Sequence, residues 1–483
     1  MKALSAVLFF LSIRSALAQT PDFSKVREMI DENVSKKNIP SISIAVTKRG
    51  KIIWEESFGY ADRENKVQAT IHTPYYLASV TKTMTSMALL KLAKEKKINL
   101  DSPVNKYLKG GKINSTKWDA NKVTVKMVMS HTSGLTTFNF WCRTDSLSCA
   151  KMDDTIIGRY AVLVDEPGAH FDYSNLGYGV LDRVIRDVSG KSYAEYMKEE
   201  IFGPLGMKSA FIAGNPLPLV RAMRYSGADG KTLIEFPYSH HYSAGASMGY
   251  ASVHDLALFA MKHLSDRSLR VMQDTIARNG QDYYGLGWWI DTDYYGYKEL
   301  LAQGGTFFAQ AWLQLIPSED ISISILSNVG YGGIWRPIID ETLSALLPKF
   351  KANKIAEQNA PKNNSSAQTS PAPAPPPSKW KGYVRTYKGD VPVVFQFAGS
   401  NTGSVDIGNK HTDLSNVEVE PNWYSFKVEG DLGIEEDMGK PPYNMSFYLH
   451  VDGEILYGSA QTSATAHPDT PGLSFWVELE KVN

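Results

Sequence analysis

Ser79 and Lys82 lie three residues apart, at the start of a segment, 81–96, whose composition predicts a helix. Residues three apart share a helix face, so the Lys82 amine can reach the Ser79 hydroxyl. A serine hydroxyl becomes an effective nucleophile only when a neighbouring base takes its proton. Burial can lower the pKa of a lysine from about 10.4, and the positive helix N-terminus favours a developing oxyanion. The pair predicts acyl transfer, although serine is also a common helix N-cap, so the pattern needs support from the rest of the chain.

A second group of polar residues lies in the segment 167–178, which contains Tyr173-Ser174-Asn175. Beside a cation, a tyrosine can lose its proton more readily and act as a base towards a serine. An asparagine side chain both donates and accepts, so Asn175 can hold a substrate amide and a lysine amine together. The alternative interpretation is a polar turn that precedes a helix over 178–189.

A third group, Gln303-Gly304-Gly305-Thr306, precedes a predicted hairpin late in the chain. Glycines let a substrate backbone approach a strand closely, and a backbone N–H there can complete an oxyanion hole with the N–H of Ser79. We expect this stretch on an edge strand beside the serine. Glycine pairs are also common at strand starts, so the stretch gains weight only together with the other two groups.

Several motifs occur together and in order over about residues 22–350. They resemble the serine β-lactamase and penicillin-binding-protein superfamily, in its class C β-lactamase-related branch, which includes D,D-peptidases, D-aminopeptidases and esterases. The matching segments are Tyr76–Lys82, Ile98–Val104, Ser130–Leu135, Tyr173–Asn175, Pro204–Met207 and Ser243–Gly245.

The resemblance implies a role for each candidate residue. Ser79 would be the acylated nucleophile, and Lys82 and Tyr173 would share proton transfer. Asn175 would orient the substrate amide and the Lys82 amine. The backbone N–H groups of Ser79 and of a residue near Thr306 would form the oxyanion hole. The catalytic residues would thus be Ser79, Lys82 and Tyr173, and Asn175 would bind substrate together with the 303–306 stretch.

Two further features follow from the comparison with the superfamily pattern. The Ser130–Leu135 run would be structural, with His131 as a packed histidine. Gln303 stands where the superfamily usually has Lys or His, and Phe307–Ala309 departs from the usual Gly-Phe. A glutamine donates hydrogen bonds but supplies no charge for a substrate carboxylate. This favours a neutral ester or amide, or an aminopeptidase-type substrate; a D-Ala-D-Ala carboxypeptidase or β-lactamase is the alternative.

A rival nucleophile is present in Gly245–Gly249, which matches the G-x-S-x-G elbow of α/β-hydrolases at Ser247. That elbow requires a preceding buried strand and a following acid and histidine. The preceding His240-His241 segment is not such a strand, and the histidines that follow are badly placed. We therefore expect Ser247 to be incidental.

A non-enzymatic alternative is a catalytically inactive, penicillin-binding-like protein that binds peptides, glycans or another protein. Gln303 supports this alternative. The presence of Ser79, Lys82, Tyr173 and Asn175 together argues against it, because loss of chemistry would more simply show as loss of the serine or lysine.

The overall composition excludes some partners. The 483 residues carry 51 Lys plus Arg and 51 Asp plus Glu, without a basic block, so nucleic acid is not expected. No His or Cys cluster has metal-ligand spacing, and His240-His241 lacks companions. We expect no metal or organic cofactor, and a small-molecule or peptide substrate; the oligomeric state is not predicted.

The N-terminus reads as a secretory signal peptide over 1–18. Lys2 supplies a positive charge, Ala6–Ile13 is apolar, and Ala16-Leu17-Ala18 is a small-x-small cleavage site. The apolar run is too short to span a bilayer, so we expect cleavage and secretion to an extracellular or periplasmic space, with no membrane span.

In an oxidising compartment, Cys142 and Cys149 are close enough in sequence to close a local disulfide. Sequons for N-glycosylation, which matter only in a host that modifies secreted proteins, occur at Asn33, Asn114, Asn363, Asn364 and Asn444.

The arrangement of predicted elements indicates a mixed α+β fold. Hairpins over 41–56 and 311–326 suggest one antiparallel sheet built from both ends of the region 19–350, flanked by helices, with a mostly helical part of about 75–280 inserted. This is a β-lactamase/transpeptidase-like architecture. A linker, 351–379, contains a proline-rich run, and 380–483 predicts a small antiparallel β-barrel with an accessory role.

Overall fold

The computed structural model describes most of the chain. Structure is given for residues 21–37, 39–136, 141–143, 154–213, 220–225, 239–241, 243–280, 282–306, 308–330, 335–359, 376–399, 401–420, 422–438, 440–464 and 472–482.

Fourteen strands precede the C-terminal part of the chain. They are β1 Ser41–Lys48, β2 Lys51–Asp62, β3 Val67–Gln68, β4 Tyr75–Tyr76, β5 Trp141–Arg143, β6 Phe211–Ile212, β7 Ser239–His241, β8 Gly249–Ala251, β9 Ala277–Asn279, β10 Asp282–Tyr284, β11 Trp289–Tyr294, β12 Tyr297–Thr306, β13 Ala309–Ile316 and β14 Ile321–Ser327.

Helices lie between and around these strands. They are α1 Ser24–Lys36, α2 Thr81–Lys94, α3 Val125–Met129, α4 Asp154–Tyr160, α5 Asn175–Ser189, α6 Tyr193–Tyr196, α7 Gly203–Leu205, α8 Ala244–Ser247, α9 Val253–Ser265, α10 Trp335–Leu346 and α11 Pro348–Asn359; a 3-10 turn, Ala78–Val80, leads directly into α2.

The main sheet joins the two ends of the region. Its strand order is β3-β2-β1-β14-β13-β12-β11-β10-β9, and β1 pairs antiparallel with β14, with Ile44 opposite Ile325. Both predicted hairpins and the predicted mixed fold are confirmed. β1 and β14 are buried along nearly their whole length, as expected for strands covered by helices on both faces.

One cover of the sheet is built from the ends of the region. Val26 and Ile30 of α1 pack in one apolar cluster with Ile338 and Ile339 of α10. The opposite face carries the inserted helical part, in which α2 is the central helix. Residues 81–89 of α2 are all buried, including small polar ones, because α5 and α8 pack around it.

The expectation that the 303–306 stretch lies on an edge strand was wrong, because β12 lies between β11 and β13. β11, however, begins at Trp289, which pairs with Leu301. Residues 302–306 pair with β13 alone, so this end of β12 extends past its neighbour and has one open side. The 302–306 end of β12 therefore has backbone groups without a described strand partner on one side, as an edge strand has, although β12 is internal to the sheet.

The C-terminal part forms an antiparallel half-barrel of nine strands and one short helix. Its elements are β15 Ser378–Thr386, β16 Gly389–Gly399, β17 Thr402–Ile407, β18 Lys410–Leu414, β19 Glu418–Glu420, β20 Trp423–Gly430, α12 Glu435–Met438, β21 Tyr443–Asp452, β22 Ile455–Ala464 and β23 Leu473–Val482. The strand order is β18-β17-β16-β15-β23-β22-β21-β20-β19. Stacked rings of Phe395, Phe426 and Phe447 fill the interior, with neighbouring centroids 4.8 Å apart.

The half-barrel packs against the helical part through aromatic side chains. Trp118 meets Trp476 edge-on, with the ring centroids 5.3 Å apart, and the Lys117 ammonium lies 3.9 Å from the ring centroid of Tyr457. Gln461 donates a hydrogen bond of 3.3 Å to the Thr136 hydroxyl. The contact surface thus reaches Thr136, whose carbonyl binds Ser174 in the 173–175 motif.

The beginning of the predicted linker differs from the expectation. Residues up to Asn359 continue as helix α11, which is anchored by the buried Phe350 and by an ion pair of 2.9 Å between Lys354 and Asp340. The proline-rich run at 371–375 lies outside the described residues. The domain limits 19–350, 351–379 and 380–483, and the signal peptide, stay predictions.

Several predictions concern residues that the structure describes only in part. Cys149 lies outside the described residues, so the disulfide with Cys142 stays a prediction. Asn363 and Asn364 also lie outside, whereas Asn114 and Asn444 are exposed. Asn33 is buried and donates its amide to the Met29 carbonyl at 2.6 Å, which argues against its glycosylation.

The described residues contain neither a membrane-spanning helix nor a metal-binding cluster. Every helix among them is too short or too polar to traverse a bilayer. No group of three or more His, Cys, Asp or Glu side chains among them is arranged to hold a metal ion.

Candidate active site

The turn that carries Ser79 is pressed against the open end of β12. Ala78, directly before the serine, has a positive φ of 44°, which is strained for a residue with a side chain. A Cβ on Gly304 would lie only 2.0 Å from the Leu77 carbonyl oxygen, so the close approach requires glycine there. The Leu77 N–H donates to Gly249 at 2.8 Å on the other side. These contacts fix Ser79 beside β12.

The Lys82 side chain is almost completely buried, with an exposed fraction of 1%. Its Nζ lies 3.1 Å from the Ser79 Oγ, 2.6 Å from the Asn175 Oδ1 and 3.1 Å from the Ala246 carbonyl oxygen. Burial lowers the pKa of Lys82 well below its usual 10.5, because loss of hydration penalises the charged ammonium. The structure therefore favours the neutral amine, the form that can take a proton.

The Tyr173 hydroxyl is hydrogen-bonded to Ser79, and the Lys82 Nζ lies 4.7 Å from the Tyr173 ring centroid. Burial raises the pKa of Tyr173 to about 12, despite the opposing effect of the hydrogen bond. The expectation that a nearby cation would ease loss of the phenol proton stays a prediction, and burial opposes that loss here. Burial of both groups favours the protonated phenol of Tyr173 and the neutral amine of Lys82.

Asn175 is the first residue of α5 and is aimed by the cap of that helix. The Ser174 Oγ accepts from the Gly177 N–H at 2.9 Å and donates to the Thr136 carbonyl at 2.8 Å. Serine is a favoured N-cap, so local sequence explains why the helix begins here. Asn175 Oδ1 then accepts from Lys82, while Tyr173 two residues earlier reaches Ser79.

His131 packs directly beneath this motif. It is fully buried, its Nδ1 accepts from the Ser174 N–H at 3.0 Å, and its ring centroid lies 4.3 Å from that of Tyr173. Burial, with a smaller effect of Lys82, lowers the pKa of His131 well below 6.5, so the ring stays neutral. This packing agrees with the structural role that the resemblance implied.

The four residues of the 303–306 stretch are placed differently. Gly304 meets the serine turn, but Gln303 and Gly305 are exposed and, by strand alternation, project to the other face. In the described part of the chain, no hydrogen bond joins Gln303 to Ser79, Lys82 or Tyr173. Thr306 is half-buried, and its hydroxyl accepts from the Phe308 N–H at 3.3 Å. The structure brings this stretch to the site mainly through its backbone.

The rival nucleophile has the wrong surroundings. Ser247 ends the four-residue helix α8, which precedes strand β8, the reverse of the strand-to-helix order of a nucleophile elbow. Its side chain is mostly buried, and its Oγ has no hydrogen-bond partner among the described residues. The same segment nevertheless contributes to the site through the Ala246 carbonyl.

Sequence reasoning missed that carbonyl and the aromatic wall of the site. Tyr173 stacks parallel to Trp289, with ring centroids 6.2 Å apart, and Tyr284 and Phe171 complete the wall. Every residue has a backbone carbonyl, so residue type cannot show which carbonyl lies in the site. Trp289 and Tyr284 lie more than a hundred residues after Tyr173 in the sequence, so their packing against it is not a local signal. The Ser243–Gly245 match and the G-x-S-x-G match at Gly245–Gly249 pointed to the segment that holds Ala246, but neither assigned a role to its carbonyl.

Comparisons with known proteins agree with this geometry. The beta-lactamase family model matches residues 26–343. Protein flp of Staphylococcus aureus (strain MW2) is 27% identical over 324 residues, which span 63% of this chain and 63% of that protein, less than two thirds of its length. Unguisins hydrolase ungD' of Aspergillus campestris is 25% identical over 403 residues, 73% of each chain.

Two solved structures share the fold at low identity. The octameric penicillin-binding protein homologue from Pyrococcus abyssi matches with a TM-score of 0.57 and 21% identity, over 95% of this chain and 100% of that chain. A class C beta-lactamase matches with a TM-score of 0.55 and 20% identity, over 67% of this chain and 97% of that chain. Because the family model matches more than half of the chain, the chain belongs to the beta-lactamase family.

Proposed function

We propose that this protein is a secreted serine hydrolase that cleaves an ester or amide through an acyl-enzyme on Ser79. The observation that carries the proposal is the buried Lys82 Nζ, 3.1 Å from the Ser79 Oγ, with a lowered pKa. A serine and a neutral amine at that distance form a nucleophile and base pair. Membership of the beta-lactamase family supports the same chemistry.

In the proposed reaction, the Ser79 Oγ attacks the substrate carbonyl carbon while Lys82 accepts the hydroxyl proton. The backbone N–H groups of Ser79 and of a residue near Thr306 stabilise the oxyanion. Collapse breaks the bond to the leaving group, which takes the proton from the Lys82 ammonium through Tyr173, so that Lys82 is neutral again. Water then attacks the ester carbonyl and gives a proton to Lys82; the bond to Ser79 breaks, Lys82 returns the proton to the Ser79 oxygen, and the carboxylic acid is released.

We propose a neutral ester or amide, or an aminopeptidase-type substrate, because position 303 carries an uncharged glutamine and therefore supplies no cation for a substrate carboxylate. The Gln303 side chain projects to the face of β12 opposite the serine turn, so the proposal rests on the missing charge and not on a contact of this side chain. The similarity to Unguisins hydrolase ungD' supports hydrolysis in general. A D-Ala-D-Ala carboxypeptidase or β-lactamase is the competing specificity. Secretion is part of the proposal because of the signal-like sequence over 1–18.

Turnover of p-nitrophenyl acetate by the purified full chain tests the proposal. Wild type and Ser247→Ala should turn over at equal rates, and Ser79→Ala should lose about a thousandfold or more, because the nucleophile is gone. A circular dichroism spectrum equal to wild type would show that Ser79→Ala is folded. Full activity of Ser79→Ala would overturn the proposal, and absence of turnover and of D-amino amide or β-lactam cleavage in wild type would favour the inactive binding protein.

A further inference from the structure

Asp182, a buried carboxylate on α5, is connected to the site only through the residues that it binds. Asp182 lies seven residues, about two helical turns, after Asn175 and has an exposed fraction of 7%. In the described part of the chain no hydrogen bond joins it to Ser79, Lys82 or Tyr173. A carboxylate this deeply buried is costly unless N–H donors satisfy it, so its partners indicate what it holds in place.

Those partners are backbone groups at the start of α8. The Asp182 Oδ2 accepts from the Gly245 N–H at 2.8 Å, and the Ala244 N–H gives a further hydrogen bond. The turn is pressed tightly onto α5, because a Cβ on Gly245 would lie 2.7 Å from the Tyr178 carbonyl oxygen and 2.9 Å from the Asp182 Cβ. Asp182 thus fixes one side of the 244–247 turn.

Helix α2 fixes the other side of the same turn. The Thr85 Oγ1 donates to the Gly245 carbonyl at 2.7 Å and is hydrogen-bonded to the Tyr193 hydroxyl, also at 2.7 Å. The Thr81 Oγ1 accepts from the Gly249 N–H at 3.0 Å. With the turn held between α2 and α5, the Ala246 carbonyl lies 3.1 Å from the Lys82 Nζ.

The contact between the Ala246 carbonyl and Lys82 can determine where the lone pair of the Lys82 amine points. A neutral lysine amine has two N–H donors and one lone pair, and Lys82 has two carbonyl-type acceptors, Asn175 Oδ1 and Ala246 O, besides the Ser79 Oγ. If both N–H groups point to those acceptors, the lone pair points to the Ser79 hydroxyl. Loss of the Ala246 acceptor would let an N–H turn towards Ser79 instead, which opposes proton transfer.

We infer that Asp182 is a positioning residue of the proposed hydrolase: it holds the 244–247 turn so that the Ala246 carbonyl directs the Lys82 lone pair at Ser79. This inference rests on the proposed function. It makes the orientation of the proposed base, Lys82, depend on a residue that none of the sequence motifs contains. Asn175 and Asp182, on one rigid helix, would then govern both acceptors of the amine.

The electrostatic surroundings of Asp182 agree with this arrangement. Burial raises the pKa of Asp182 to about 7, while the Gly245 N–H, Arg186 and Arg183 oppose that rise. The facing group on the neighbouring helix is the neutral phenol of Tyr193. The carboxylate, the form with the stronger acceptors, therefore predominates on the alkaline side, where the Lys82 amine is also neutral.

Asp182→Asn in the full-length protein tests the inference, with Asp187→Asn as a matched control. Asp187 is a buried carboxylate of the same helix, but it binds Arg183 and the Lys109 N–H, away from the site. In Asp182→Asn, kcat for p-nitrophenyl acetate should fall about tenfold or more with KM nearly unchanged. The acid limb of kcat/KM should move to lower pH, because the Lys82 ammonium loses an acceptor. Asp187→Asn should keep the wild-type kcat and pH profile.

A second variant covers the case in which Asp182→Asn does not fold. Thr85→Val removes the bond to the Gly245 carbonyl from the α2 side and should lower kcat in the same way. Wild-type kcat and an unmoved acid limb in either folded variant would overturn the role of Asp182 while leaving the proposed function intact. If wild type shows no Ser79-dependent turnover, the proposed function fails, and the inference fails with it.

Discussion

At the scale of single residues, the site consists of a few side chains whose protonation is set by burial. Lys82 loses hydration on burial, and this lowers its pKa; burial also raises the pKa of Tyr173 to about 12. Sequence predicted the identity of both groups and of Ser79 and Asn175, because residue type and spacing are visible in a chain. Sequence did not predict that the pKa of Tyr173 would be raised, because its burial depends on packing by Trp289 and Tyr284, which lie on strands far from Tyr173 in the sequence.

The lowered pKa of Lys82 gives a pH prediction. Only the neutral amine accepts the Ser79 proton, so kcat/KM should rise with pH as Lys82 deprotonates and should reach its plateau well below pH 10.5. In Lys82→Met, activity should fall about a thousandfold and the residual rate should lack this limb. Lys94→Met, at the exposed end of the same helix, is the control and should keep the wild-type profile. An acid limb that persists unchanged in Lys82→Met would assign the base elsewhere.

At the scale of elements, the site depends on how closely a helix start approaches a strand. Sequence predicted α2, both hairpins and the antiparallel sheet, because their apolar periodicity and turns are local signals. It placed β12 at the sheet edge, whereas β12 is internal and only its 302–306 end is open. How far β11 pairs along β12 depends on both strands, so the glycine pair at 304–305 could not by itself predict which end of β12 is open.

That close approach gives a stability prediction at Gly304. Gly304→Ala should lower the free energy of unfolding by about 2 kcal/mol or more, because its Cβ would lie 2.0 Å from the Leu77 carbonyl oxygen. Gly305→Ala is the matched neighbour: no atom lies within 4 Å of its Cβ, so its effect should stay within about 0.5 kcal/mol. Urea unfolding followed by circular dichroism measures both. Equal stability of the two variants would show that the helix start does not press on β12 as described.

In the molecule as a whole, the region that matches the beta-lactamase family packs against the half-barrel through its helical part. Composition and turns predicted the β-rich C-terminal part, and its nine strands agree. The way it packs could not be predicted, because Trp118, Tyr457 and Trp476 meet across more than three hundred residues of sequence. The contact reaches Thr136 and so supports the loop that carries Tyr173.

Trp118 gives the prediction for this contact. Trp118→Ala should remove about 2 kcal/mol of packing between the helical part and the half-barrel, and thermal unfolding should split into two transitions or begin several degrees earlier. Trp423→Ala is the control, because Trp423 lies on the half-barrel and binds Glu420 rather than the helical part. Differential scanning calorimetry distinguishes the two. A Trp118→Ala profile that matches Trp423→Ala would mean that this contact does not couple the two parts.

Activation of Ser79 as a nucleophile can be measured by intact mass after treatment with a fluorophosphonate. We expect one adduct on wild type and on Ser247→Ala, and none on Ser79→Ala, because Lys82 Nζ and the Tyr173 hydroxyl both contact Ser79. An adduct that survives in Ser79→Ala and disappears in Ser247→Ala would assign the nucleophile to Ser247 and rule out the proposed mechanism.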